Sequence, residues 1–90
     1  MPARHATDRA AILAEVTDIV RSVLRDPSIE LTLETTADDL PAWDSMNHIA
    51  VVVEAECRFD IQFDAREIDT LVSVGEIVRM IQGKLSMAHA

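Results

Sequence analysis

The sequence predicts an all-α domain: three longer helices and one short helix around a single core. Three observations predict it. Apolar residues recur at spacings of three and four in several stretches, the period of one helix face. Asp or Ser followed three residues later by Glu opens two of those stretches, a capping signature. And 90 residues contain only two Gly and three Pro, too few tight turns for an all-β sandwich.

The first helix has the plainest pattern. Ile12, Leu13, Val16, Ile19, Val20, Val23 and Leu24 form one wide apolar stripe. Thr7 or Asp8 can cap its start. Asp26 before Pro27 ends it, because proline pushes its predecessor out of the helical region. Residues 26–44 then form a long connection carrying Ile29, Leu31, Leu33, Leu40 and Trp43. A loop of that length in a compact domain is unusual, so it is expected to lie across the helices and bury those side chains.

The next segment begins at Asp44 or Ser45. Met46, Ile49, Ala50, Val53 and Cys57 fall on one helical stripe, widened by Val51, Val52 and Ala55. Its β-branched residues make a strand over residues 49–53 a competitor. A helix to about Arg58 is preferred, since the stripe outlasts strand length and a capping signal precedes it. Phe59, Ile61 and Phe63 follow as a short extended link. Asp64 with Glu67 forms a capping box for a short helix holding Ile68 and Leu71. Ser73 with Glu76 opens the last helix, whose apolar face is Val74, Ile77, Val78, Ile81 and Leu85, with Gly83 near a fraying end. Residues 1–7 and 86–90 are expected to be frayed. No internal repeat or low-complexity tract is visible. One domain spanning residues 1–90, with its core at about 8–85, is the expected organisation.

Charge narrows the function classes. The net charge is −8, and residues 26–69 hold twelve Asp and Glu against two Arg, a local balance of −10. Nucleic acid and anionic membranes both demand the opposite sign. The acidity suits partners with basic patches, or simply solubility. The single Cys57 excludes an intramolecular disulfide and fits a reducing compartment. Residues 1–9 have no apolar signal region, and the longest apolar run, residues 49–53, is far too short to span a bilayer. A cytoplasmic protein is the expectation.

Catalytic and metal motifs are weak. His5, His48 and His89 are scattered, with no paired ligand spacing, and no glycine-rich phosphate loop exists. Ser45 and His48 are three apart and share a helix face, with Asp44 adjacent. No oxyanion site accompanies them, and so short a chain leaves little room for a substrate pocket, so no catalysis by the chain is expected. Taken singly, Ser45 reads as a helix cap, Cys57 as a small core residue, Trp43 as a core or loop anchor and His48 as an exposed polar residue.

The segment LPAWDSMNHI at residues 40–49 changes the reading of Ser45. It resembles the attachment site of acyl and peptidyl carrier proteins, in which Asp-Ser-Leu or Asp-Ser-Met opens the second helix. Asp44, Ser45 and Met46 match it residue for residue. The setting extends the resemblance to about residues 8–85: an amphipathic helix and an acidic loop ahead, EAECRFDI at residues 54–61, and LVSVGEI at residues 71–77. It implies a stand-alone four-helix carrier-protein bundle with a long first loop and a short third helix. It also implies 4′-phosphopantetheine on the Ser45 hydroxyl, cargo held as a thioester, and no catalytic residues. Asp44 would assist a phosphopantetheinyl transferase using Mg²⁺ and coenzyme A.

The resemblance also has departures. Fatty acid synthesis members carry acids early in the second helix, where this chain has Asn47, His48 and Ala50; its acids arrive at Glu54 and Glu56. Together with Trp43 before Asp44, this points to a specialised pathway, with an acid- or amino-acid-activating ligase and downstream transferases as partners. Met46, Asn47, His48 and Ile49 are the expected partner-facing surface around the arm, and a monomer is expected. A fatty acid synthesis carrier, and an unmodified helical interaction module, are the alternatives.

Overall fold

The computed structural model of the protein describes residues 8–88. Four helices follow in order: α1 (Arg9–Leu24), α2 (Ser45–Phe59), α3 (Ala65–Asp69) and α4 (Val74–Ala88), with one 3₁₀ turn at Ala37–Asp39. This is the expected all-α architecture. Residues 49–53 are helical, not a strand. The expectations for residues 1–7, Thr7, His5 and His89 lie outside the described residues.

α1 forms because its apolar residues share one face and its ends are closed locally. The Asp8 carboxylate accepts the Ala11 N–H at 2.8 Å. At the other end Arg25 turns left-handed (φ 58°), and Asp26 N–H reaches back to the Arg21 carbonyl at 3.0 Å. Ile12, Val16, Ile19 and Val20 are buried, and Leu13, Val23 and Leu24 pack against the core. α1 contacts both α2 and α4.

The connection over residues 26–44 does lie across the helices. Ile29, Leu31 and Trp43 are buried, and Leu33 and Leu40 are partly so. Two ties hold it. Arg21 Nε donates to the Ile29 carbonyl at 2.6 Å. The start of α4 pairs with the loop through Val74 N–H to Thr35 O and Gly75 N–H to Leu33 O, both 2.8 Å, beside an isolated antiparallel bridge between Thr36 and Ser73.

α3 opens on the expected capping box: Glu67 N–H donates to Asp64 Oδ1 at 2.8 Å, and Asp64 N–H to Glu67 Oε1 at 3.0 Å. Lys84 of α4 bridges Glu67 at 2.9 Å and stands 5.5 Å from the Phe63 ring centre. Leu71 is buried, but it lies beyond α3. The Ser73 hydroxyl accepts the Glu76 N–H at 3.2 Å. α4 continues through Gly83 to Ala88, so residues 86–88 are helical rather than frayed.

The face of α2 differs from the expected one. Its buried residues are Val51, Val52 and Ala55. Met46, Ile49, Ala50, Val53 and Cys57, the expected core stripe, face solvent. Cys57 is exposed, not a core residue. The reason is that α2 carries apolar residues on two opposite faces, with Asn47, Glu54, Glu56 and Arg58 on the flanks between them. Its period is compatible with either face, and the buried one is selected by fit against α1.

Candidate functional site at the start of helix α2

Asp44 caps α2. Its Oδ1 accepts the Asn47 N–H at 2.9 Å, and its carbonyl accepts the His48 N–H at 2.8 Å. Ser45 is therefore the first helical residue and not the cap that its residue type alone suggests. Among the described residues its Oγ has no hydrogen-bond partner, and the residue is exposed. The division of labour follows from sequence order: the carboxylate one position earlier takes the capping bond, which frees the serine. Early N–H groups of a helix and its dipole make that end favourable for negative charge.

Trp43 and His48 brace this end from the inside. The indole is buried, and its Nε1 donates to His48 Nδ1 at 3.2 Å, with ring centres 6.1 Å apart. His48 is half-buried, which corrects the expectation of an exposed residue. Its Nδ1 is engaged by Trp43 and the Asp44 carboxylate by Asn47 N–H. The three residues Asp44, Ser45 and His48 thus form a cap and a brace, not a relay. The Asn47 side chain is half-buried and donates to the Ala42 carbonyl at 2.7 Å.

An open groove of about 690 Å³ runs beside Ser45, walled by Trp43, His48 and Ile49 on one side and Ile68, Leu71 and Val72 on the other. Asp38, Asp44 and Asp69 also line it. Of the exposed large apolar side chains, Ile49 (49%) and Val72 (67%) line the groove, and Met46 (82%) and Val53 (49%) lie on α2. Of the expected partner surface, Met46, Asn47, His48 and Ile49, the first and last are exposed and the other two half-buried. Val72 was not expected there, its only signal being an apolar residue in a short link, and Val53, like Met46 and Ile49, was expected on the core stripe of α2. No group of three or more potential metal ligands occurs among the described residues. None of their helices is long and apolar enough to cross a membrane.

Residues 14–81 match the sequence family described as "Phosphopantetheine attachment site". The chain belongs to that family. Acyl carrier proteins of Streptococcus pyogenes are 39% identical over 74 residues, covering 82% of this chain and 96% of theirs. That of Streptococcus pneumoniae is 38% identical over 72 residues, covering 80% and 93%. A solution NMR structure of holo acyl carrier protein from Geobacter metallireducens superposes with a TM-score of 0.80 at 35% identity, covering 99% of this chain and 92% of that one. As a member of the acyl carrier protein family the chain is a carrier rather than an enzyme, and its cofactor is covalent 4′-phosphopantetheine. Family members meet a phosphopantetheinyl transferase and the enzymes that load and unload the arm.

Proposed function

We propose that Ser45 carries the phosphopantetheine arm and that the chain serves a specialised pathway, receiving an acyl or aminoacyl group from an acid- or amino-acid-activating ligase. The observation that supports the attachment residue most is the free, exposed Ser45 hydroxyl at the first position of α2, with Asp44 capping in its place. A phosphodiester on that oxygen sits at the positive end of the helix. The arm supplies a terminal thiol that holds cargo as a thioester. The protein's own residues orient the attachment point and present a surface to partners. Asp44 assists the transferase, which uses Mg²⁺ and coenzyme A. The carrier works as a cytoplasmic monomer.

The pathway assignment rests on what surrounds Ser45. Beyond Ser45, the exposed residues of the first turns of α2 are Met46, Ile49, Ala50 and Val53, with no acid among them. Glu54 comes later and lies 3.5 Å from Arg58, which also meets Glu15 and Asp18. An exposed apolar patch of this kind marks an interaction site. A partner built to meet acids there finds nothing to pair with, at about 0.2–1 kcal/mol per missing exposed pair. The test is thioester formation on the modified protein, wild type and Ala50→Glu/Val53→Glu, with fatty acid synthesis enzymes and with acid-activating ligases. Poor use by the first set, improved by the double change, supports the proposal. Efficient use of wild type by fatty acid synthesis enzymes contradicts it.

A further inference from the structure

We infer that Trp43 closes the protein interior to the cargo, so that the carrier is matched to short or polar acyl groups that stay at the surface. The inference rests on Ser45 as the attachment residue. A long acyl chain gains by leaving water in proportion to the apolar surface it buries, so a carrier for such chains is favoured by an internal cavity reachable from the arm.

In this chain the way inward from the groove is filled. Trp43 lines both the open groove beside Ser45 and the space directly beneath it. That second space, lined by Trp43, Leu71, Val74 and Ile77 together with Ala37, His48, Val72 and Ser73, is only about 10 Å³. This is at the lower limit for a single water, about 10–15 Å³, and it holds no run of methylenes. Val74 is 0% exposed, Ile77 3%, Leu71 4% and Trp43 6%, so the side chains that fill this part of the interior are withdrawn from water. The bond from Trp43 Nε1 to His48 Nδ1 holds the indole in that position from the helix that bears Ser45. Swinging the indole out to admit a chain breaks that bond and vacates the wall it packs against. A short cargo requires neither. The outer groove, lined in part by Asp38, Asp44 and Asp69, is open to water and offers a chain no enclosure. Trp43 is therefore a specificity-determining residue, acting through shape and not through contact with the reacting atoms.

The test compares acetyl and octanoyl forms of the same protein, made by a broad transferase from acetyl- and octanoyl-coenzyme A. Intact mass confirms each loading, and a missing mass increment overturns the carrier reading itself before cargo is compared. On loaded wild type, the inference predicts equal melting temperatures for the two forms and equal rates of thioester cleavage by hydroxylamine. In Trp43→Ala, and in Trp43→Leu should the first variant unfold, the octanoyl form melts higher than the acetyl form and is cleaved more slowly. Burial of two methylenes is enough for about tenfold protection. Wild-type octanoyl protein that melts higher than the acetyl form and resists hydroxylamine by that factor overturns the inference. So do folded Trp43 variants in which the two cargoes behave identically.

Discussion

The indole N–H of Trp43 and Nδ1 of His48 are 3.2 Å apart, joining the end of the long connection to the first turn of α2. One residue precedes the helix and the other lies in it, so this bond and the Asp44 cap together set the direction in which α2 leaves the loop. Ser45 sits between them in sequence, held by neighbours on both sides while its own hydroxyl stays free.

The brace is measurable. His48→Ala leaves the indole N–H facing half-buried space without its acceptor, which costs about 1–3 kcal/mol. Urea unfolding should show that loss, and the fluorescence of the single tryptophan should move to longer wavelength. His48→Gln, which keeps an acceptor, should recover part of both. Equal stability of His48→Ala and wild type would show that the bond does not brace the site.

Asp44 has two separable tasks. Asp44→Ala removes the cap and should cost about 0.5–2 kcal/mol. Asp44→Asn keeps a capping oxygen and should stay near wild-type stability. If Asp44 also assists the transferase through its charge, both variants should be modified slowly. Rapid modification of Asp44→Asn would confine Asp44 to capping.

The two glycines of α4 predict opposite outcomes for the same substitution. A Cβ on Gly83 meets nothing within 4 Å, so Gly83→Ala should stabilise by about 0.5–1 kcal/mol through helix propensity. A Cβ on Gly75 would stand 2.7 Å from the Leu33 carbonyl oxygen, backbone that Gly75 N–H itself holds at 2.8 Å. Gly75→Ala should therefore destabilise, despite the same propensity gain, by parting α4 from the first loop. Thermal melts of the two variants decide it. A stabilising Gly75→Ala would mean that the loop yields freely.

Much of this was legible before the structure. α1 has one apolar face and one polar face, so its period names its core side. The Asp64–Glu67 box is a local signal and appears as such. Three features were not legible, each for a physical reason. α2 is apolar on both sides, and only packing against α1 chooses Val51, Val52 and Ala55 over Ile49, Val53 and Cys57. The bridge between Thr36 and Ser73 joins residues far apart in sequence, beyond any local pattern. The Trp43–His48 bond crosses a helix boundary, where helical spacing does not apply. The motif at Ser45 was legible as a resemblance; what the structure adds is that Asp44, and not Ser45, makes the cap.

Acid titration should show a depressed Glu67. The Asp64 backbone N–H, and then Lys84, hold its carboxyl below the usual glutamate range. A depressed carboxylate contributes stability that is present above its unfolded pKa and lost as pH falls through the folded value. Side-chain NMR should show Glu67 titrating below an exposed glutamate, and Lys84→Met should raise it only in part, since the backbone bond remains. An ordinary Glu67 titration in wild type would mean that the α3 cap and its tie to α4 are open in solution.

The central claim is that the free hydroxyl of Ser45 bears the arm, and intact-mass spectrometry tests it most directly. Apo protein incubated with coenzyme A, Mg²⁺ and a broad phosphopantetheinyl transferase should gain one phosphopantetheinyl group, mapped by fragmentation to Ser45. Ser45→Ala should gain none while keeping its helical circular dichroism, because an exposed side chain outside the cap changes stability by only about 0.5 kcal/mol or less. A group added to Ser45→Ala, or none added to wild type, would contradict the account.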